Sequence, residues 1–361
     1  MRNIFNYLNN LLFKNLKKKE FTVPNRIILV SNTALGDTIL STPAIKSVRL
    51  KFPEAKIILI VHKNLYAFFQ GFESVDEVVI YSSSLVGSIK QGLYFRRKNF
   101  DTIFFFHSNG PQDLFLALLS GASNILKAIN YPAKVSDKFQ KIMLNKIDYQ
   151  NTKHIIEHRL DLVRYFKPMR LDKSLSIPSR YYLEDTNKNS NIIALQLSAA
   201  DIYKAWPVSN FLKLMTQVVD SLSGNCKIIL LGINSETQLA SNFEKKFKYQ
   251  HLVKNLCGKT SIQELQSILQ GSNLLITNDT GTLHLAVAVK TPTISLFSPT
   301  DPNIFGPYQD LDKHKVICSD GSYINDRPKK QRSQEAMNLI SIEDVFDAFK
   351  NLKKDFFVCV E

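Results

Sequence analysis

The chain has 361 residues, 44% of them hydrophobic and 22% charged, and Lys plus Arg exceed Asp plus Glu by 14. That composition excludes a disordered chain and is too long for one ordinary core, so two domains are expected. The basic excess points to an anionic partner, whether nucleic acid, an acidic membrane surface or a phosphorylated ligand, without choosing among them.

Cys226, Cys257, Cys318 and Cys359 lie far apart with no C-x-x-C pair. Neither a zinc site nor a disulfide framework is indicated, and a reducing cytosol fits best. No apolar run approaches the roughly 18 residues of a membrane span, and no signal peptide is apparent, so the protein is expected to stay inside the cell.

In chain order, the first twenty residues place Ile4, Phe5, Leu8, Leu11, Leu12 and Leu16 on one helical stripe that ends in Lys17, Lys18 and Lys19. Such a helix suits a membrane interface with anionic headgroups, or packing on its own domain or on a partner. From RIILVS (26 to 31) onward, β-branched runs at 56 to 62, 77 to 81, 101 to 106 and 124 to 129 alternate with helical stretches at 38 to 52, 84 to 98 and 111 to 120. Near-continuous apolar strands separated by helices imply a parallel sheet covered on both faces.

A helix is expected at 154 to 166. The stretch from 167 to 190 then loses periodicity and reads as a connection between domains. The alternation restarts with strands at 191 to 198, 227 to 232, 252 to 257, 273 to 278 and 291 to 298, and Ser261 with Glu264 makes a capping box. A last helix follows Ser341. The expected organisation is a basic segment 1–22, a Rossmann-like domain 23–180, a second one 181–340 facing it across a cleft, and a helix 341–361 that returns to the first.

In open parallel sheets, ligands bind beyond the carboxyl ends of the strands. Three loops stand there. In SNTALGDTILSTPAI, Asp37 opens a helix without a G-x-G-x-x-G fingerprint; it reads as an N-cap or as a general base at a cleft. In LSAADIYKAWP, Lys204 is a solvated loop lysine or a phosphate ligand, and Trp206 packs the loop. In TNDTGTLHLA, the amides around Thr280, Gly281 and Thr282 make an anion site at a helix start. Asp279 is left for neutral hydroxyls, and His284, one turn in, either reaches the anion or is a buried structural histidine. Asp-Thr-Gly is also an aspartic-protease signature, but it occurs once here and its flanks read strand, helix, strand.

The stretch ALGDTILSTPAIKSVRLKFPEAKIILIV, then K-x-W-P, then LLG-x-x-x-E at Gly232 to Glu236, then TNDTGTLHLAVAVKTPTISLFSPTDPNIFGPY, resembles the bacterial heptosyltransferases, glycosyltransferase family nine. The resemblance runs from about 26 to 308 and implies an α/β GT-B fold of two doubly wound Rossmann-like domains. It implies metal-independent, inverting transfer of heptose from ADP-L-glycero-D-manno-heptose to the inner core of lipopolysaccharide, with no cofactor. By the same resemblance Asp37 is the base, Lys204 and the amides at Thr280 and Gly281 bind phosphate, Glu236 holds the ribose, and Asp279 contacts the sugar. The implied partners are the nucleotide sugar, the lipid A core and, through the basic N-terminal segment, the cytosolic face of the inner membrane.

Ala199 and Ala200 depart from the hydroxyl residues often found in that family's phosphate loop, and Cys318 stands alone where relatives carry several cysteines. Asp310-Leu311-Asp312 reads as surface charge rather than a metal site. The basic stretch GSYINDRPKKQRSQEAMN is a solvated loop or a surface for an acidic acceptor. Two rival functions are a GT-B enzyme using another nucleotide sugar for a different glycan, and a nucleic-acid-binding protein, for which no module is recognisable.

Overall fold

The computed structural model describes residues 21–108, 112–127, 152–181 and 191–357. The lysine-rich stripe at 1 to 20 and Cys359 lie outside the described residues. Two compact units divide at Lys173/Ser174.

The first unit carries strands β1 (Arg26–Ser31), β2 (Lys56–Val61), β3 (Glu77–Ile80), β4 (Thr102–His107) and β5 (Asn124–Lys127) in one parallel sheet of order β3-β2-β1-β4-β5. Its helices are α1 (Leu35–Lys51), α2 (Lys63–Phe69), α3 (Leu85–Arg97), α4 (Gln112–Ser120) and α5 (Ile155–Arg164). Ile27, Ile28, Leu29 and Val30 of the central strand are all fully buried, which is why the run carries no polar alternation. Helix α1 contains Pro43, whose missing N–H leaves the Ile39 carbonyl without its helical donor. The Thr42 hydroxyl donates to that oxygen at 2.7 Å, so the helix continues through the proline.

The second unit carries β6 (Ile192–Gln196), β7 (Lys227–Leu231), β8 (Val253–Asn255), β9 (Leu274–Asn278), β10 (Thr293–Phe297) and β11 (His314–Cys318). They form a parallel sheet of order β8-β7-β6-β9-β10-β11, the 3-2-1-4-5-6 order of the Rossmann fold. Helices α6 (Val208–Ser221), α7 (Thr237–Lys246), α8 (Ile262–Gly271), α9 (Gly281–Ala288), α10 (Pro302–Phe305) and α11 (Ile342–Phe356) join and cover the strands. The capping box at Ser261 and Glu264 is formed: the Ser261 hydroxyl accepts the Glu264 N–H at 3.2 Å, and Glu264 accepts the Ser261 N–H at 2.7 Å.

The structure departs from the sequence expectations at two elements. Strand β11 lies in a stretch read as polar; it is an edge strand with only His314 fully buried, so it lacks the continuous apolar run of its neighbours. Asp310 to Asp312 form a turn leading into it, partly or fully exposed. Helix α11, expected to return to the first half, spends its apolar stripe of Val345, Ala348, Phe349 and Leu352 in the core of the second unit, against α6 and the β10–β11 edge.

Candidate active site

Both sheets reverse their strand order beside the first strand of the unit, between β1 and β4 and between β6 and β9. Loops leaving those strands diverge there and open a crevice at the carboxyl ends. The residues singled out in the sequence gather at these two switch points.

In the first unit, Asp37 is the third residue of α1. The N-cap is Ala34, with extended backbone and no side-chain cap bond, so the reading of Asp37 as a cap is corrected. Its carboxylate, 29% open to solvent, turns instead toward Thr33, His107 and Arg159. The Thr33 hydroxyl donates to Asp37 Oδ2 at 3.0 Å and stands 2.6 Å from His107 Nδ1. His107 Nε2 lies 3.5 Å, and Arg159 Nη2 3.7 Å, from Asp37 Oδ1. Arg159 Nη1 donates to the backbone carbonyl of Asp37 at 2.7 Å, an oxygen that also accepts the Ser41 hydroxyl at 2.9 Å.

Arg159 is wholly buried in α5. Burial, partly offset by Asp37, holds its guanidinium down at about 10, so it keeps its charge at neutral pH. Burial, and after it the Arg159 charge, push His107 down to about 4 against the pull of Asp37. His107 is therefore neutral at neutral pH, and its contact with Asp37 is not an ion pair. Asp37 thus sits between a fixed positive charge and a neutral imidazole.

Neither His107 nor Arg159 was expected from the sequence. His107 closes an apolar strand at the edge where ligands gather, which is a usable signal; Arg159 lies in mid-helix and carries none. A second polar group sits at the same sheet edge. Tyr81 donates to Asp113 Oδ1 at 2.9 Å, Ser108 donates to Asp113 Oδ2, and Lys127 Nζ donates to the Ser108 carbonyl at 2.7 Å. Burial, then the Asp113 charge, push the Tyr81 phenol up, and burial lowers the Lys127 amine.

In the second unit, Lys204 ends a 3₁₀ turn, Ile202–Lys204, in the loop after β6, and Asp279 follows β9. Lys204 Nζ lies 3.1 Å from Asp279 Oδ2. Asn278 ties the two loops together: its Nδ2 donates to the carbonyls of Leu197 and Ser198 at 3.2 Å, and its Oδ1 accepts the Trp206 N–H at 2.9 Å. Trp206 is fully buried, edge-on to Phe211 at 4.9 Å, and donates to the Ile340 carbonyl. It packs the loop, as expected.

Helix α9 begins at Gly281, with Thr280 as an extended N-cap whose hydroxyl donates to Gln196 Oε1 at 3.1 Å rather than to the helix. Among the described residues, the first-turn amides of Gly281 and Thr282 meet no acceptor, which leaves a concentrated positive end at the switch point. His284, one turn in, is 5% exposed. Glu236 ends the 3₁₀ turn Asn234–Glu236 in the loop after β7: its Oε2 accepts the Ile233 N–H at 2.9 Å, directly over Gly232. A side chain at 232 would overlap that oxygen and come within 2.7 Å of Cys257 Sγ.

The basic stretch 321 to 338, expected as a solvated loop or an acceptor surface, is a strap on the Lys204 loop. The Arg332 guanidinium lies 5.2 Å over the Tyr203 ring, Lys329 Nζ lies 3.4 Å from Asp201 Oδ2, and Gln334 donates to the Ala205 carbonyl at 2.8 Å. Tyr203, Ile324 and Ala336 form a small buried cluster beneath it. Burial works against ionisation of Asp201, but the Tyr203 hydrogen bond and the Lys329 and Lys204 charges outweigh it and hold the carboxyl below its ordinary value.

Among the described residues, no group of three or more His, Cys, Asp or Glu side chains is placed to hold a metal ion, and no helix is long and apolar enough to cross a membrane.

Two Rossmann-type units with polar loops at each switch point are the architecture of the GT-B glycosyltransferases. The crystal structure of a family 9 glycosyl transferase from Veillonella parvula has the same fold, with a TM-score of 0.78 at 19% identity over 93% of this chain and 99% of that one. The ADP-heptose lps heptosyltransferase II of E. coli superimposes with a TM-score of 0.72 at 16% identity, covering 91% of this chain and 98% of that one. A family model, glycosyltransferase family 9 (heptosyltransferase), matches residues 116–337, and the chain belongs to that family. It is 27% identical over 339 residues to the lipooligosaccharide heptosyltransferase 2 of Campylobacter jejuni, covering 91% of this chain and 99% of that protein. The protein is a glycosyltransferase.

Proposed function

We propose that this glycosyltransferase transfers heptose from ADP-L-glycero-D-manno-heptose to the inner core of lipopolysaccharide, with inversion at the anomeric carbon and without a metal. The observation that carries the reading is Asp37, a partly open carboxylate at a sheet switch point, oriented by Thr33, His107 and Arg159 rather than consumed as a helix cap. Such a carboxylate takes the proton of an acceptor hydroxyl as its oxygen attacks the anomeric carbon from the face opposite the diphosphate.

Negative charge then grows on the departing diphosphate. Lys204 and the free amides of Gly281 and Thr282 are fixed donors for it, preorganised by Asn278 and by the N-cap Thr280. With Ala199 and Ala200 in the preceding loop, side-chain donation falls to Lys204. In this reading Glu236 accepts ribose hydroxyls, Asp279 accepts sugar hydroxyls, and the buried His284 lies one turn into the same helix. The names of the Campylobacter and E. coli relatives support ADP-heptose as donor and a lipooligosaccharide or lipopolysaccharide acceptor; the heptose configuration and the inner-core position rest on the sequence resemblance. The stripe at 1 to 20 docks the enzyme on the cytosolic face of the inner membrane in this reading; deletion of residues 2 to 19 with unchanged vesicle sedimentation would refute that part.

The test is transfer by purified protein, in EDTA, from ADP-heptose to truncated lipid A core acceptors, comparing wild type with Asp37→Ala. Transfer by wild type and its loss in the variant, with ADP-heptose binding retained, is the expected result. Transfer only from a different nucleotide sugar would reassign the donor, and full activity of the variant would remove Asp37 from the chemistry.

A further inference from the structure

Thr33, Asp37 and His107 form a closed triangle of polar contacts: 3.0 Å from Thr33 Oγ1 to Asp37 Oδ2, 2.6 Å from Thr33 Oγ1 to His107 Nδ1, and 3.5 Å from His107 Nε2 to Asp37 Oδ1. For all three to be hydrogen bonds, three protons are needed. The threonine hydroxyl brings one, a neutral imidazole brings one, and an ionised carboxylate brings none. His107 is neutral because burial and the Arg159 charge push it down to about 4, so the triangle holds two protons and one side is unfilled.

The lengths say which side that is. Two sides have hydrogen-bond length, while the third lies beyond the usual N–H···O range. Thr33 then donates to Asp37, the Nδ1–H of His107 donates to Thr33, and Nε2 faces Asp37 Oδ1 with a lone pair. The reaction delivers the one proton that this arrangement lacks.

We propose that His107 is a positioning residue whose Nε2 shares the proton that Asp37 removes from the acceptor hydroxyl. The proposal rests on the reading of Asp37 as the base. In the step, the acceptor O–H bond breaks and its proton bonds to Asp37 Oδ1. The oxygen's electron pair forms the bond to the anomeric carbon, and the bond from that carbon to the diphosphate breaks with the diphosphate keeping its pair. Oδ1–H then donates to Nε2 and closes the triangle with three protons in three contacts. When product leaves, the proton passes to solvent and the resting arrangement returns. The charged groups facing His107 are Asp37, Arg159 and Lys127, and the positive pair opposes full protonation of the ring. The imidazole therefore acts as a hydrogen-bond acceptor for protonated Asp37 and does not take the proton outright.

The experiment compares wild type, His107→Leu, His107→Ala and Asp37→Asn, each checked for folding by circular dichroism, in steady-state transfer with the ADP-sugar and a lipid A core acceptor. Leucine keeps much of the bulk but has no lone pair opposite Oδ1. The expected result is a kcat lowered about 10- to 100-fold in His107→Leu with both KM values within about threefold of wild type, and partial recovery of His107→Ala by added imidazole. A kcat for His107→Leu within about threefold of wild type, or a folded His107→Ala that imidazole does not restore, overturns the proposal. If Asp37→Asn is inactive in that case, only the role of His107 falls; if Asp37→Asn keeps the wild-type rate, the reading of Asp37 as base falls with it.

Discussion

Lys204 Nζ stands 3.1 Å from Asp279 Oδ2, an ion pair that joins the loop after β6 to the loop after β9 across the switch point of the second sheet. Both side chains are largely buried, 26% and 14% exposed, so the pair is sheltered but within reach of a ligand. In the proposed reaction, an incoming diphosphate competes with Asp279 for the ammonium and releases the carboxylate to accept sugar hydroxyls. On this account Lys204→Met lowers kcat/KM for the donor about 10²- to 10³-fold, the scale of losing one preorganised donor from a developing anion. Asp279→Asn leaves the lysine charged and unpaired, so its loss is smaller and appears mainly in donor KM. Initial rates over a range of donor concentrations separate the two.

Gly232 lies under Glu236, where an added methyl group would overlap Glu236 Oε2 and press on Cys257. The carboxylate end of Glu236 is the freer of these neighbours and moves first. Gly232→Ala is therefore expected to weaken donor binding about tenfold, the value of about one hydrogen bond to a charged group, with a much smaller change in Tm. Calorimetric titration with the nucleotide sugar, beside thermal unfolding, checks it; unchanged affinity would remove Glu236 from the donor site.

Arg332 bears on the Lys204 loop through Tyr203. Its guanidinium lies over the Tyr203 ring and so ties the strap to the loop, while its bond to the Asn325 carbonyl at 2.8 Å fixes it within the strap. Arg332→Ala is expected to raise donor KM several-fold while kcat falls less, the scale being about 1 kcal/mol for a cation–π contact at a partly exposed site. Arg332→Lys keeps the charge over the ring and recovers part of the loss. Equal KM in all three proteins would reduce the strap to a structural cover.

His314 gives the second unit a pH dependence. Burial pushes its imidazole down to about 4 from an ordinary 6.5, with Asp310 opposing and Lys313 adding to the shift. Between those values the unfolded chain binds more protons than the folded one, so stability is full above about pH 6.5 and falls as pH drops toward about 4, by up to roughly 3 kcal/mol. Trp206, the only tryptophan of the chain and fully buried in this unit, reports the unfolding by fluorescence. His314→Asn, whose amide can keep the contact with the Thr293 hydroxyl at 3.0 Å, is expected to flatten the urea midpoint against pH in this window. A midpoint equally steep in the variant would assign the dependence elsewhere.

Most of the framework was legible along the chain. Among the described residues, ten of the eleven strands could be placed along the chain; central strands such as β1, β9 and β10 show as apolar runs because a strand buried on both faces tolerates no polar alternation. The loops carrying Asp37, Lys204 and Asp279 could be placed at strand ends because parallel connections must turn there. Local chemistry also showed itself locally: the Ser261–Glu264 box depends on residues three apart. Only the fold decided what surrounds Asp37. Its partners Thr33 and His107 are 74 residues apart, and Arg159 lies 122 residues beyond Asp37, so these contacts exist only once β4 pairs with β1 and α5 lies on α1. The strap on the Lys204 loop has the same origin, since Arg332 meets Tyr203 across 129 residues. Charge and burial of a single side chain depend on which distant elements close around it, and no periodicity along the chain encodes that; the sequence by itself determined the sheets and the loops at their ends, and tertiary structure decided which groups surround Asp37 and which hold the Lys204 loop.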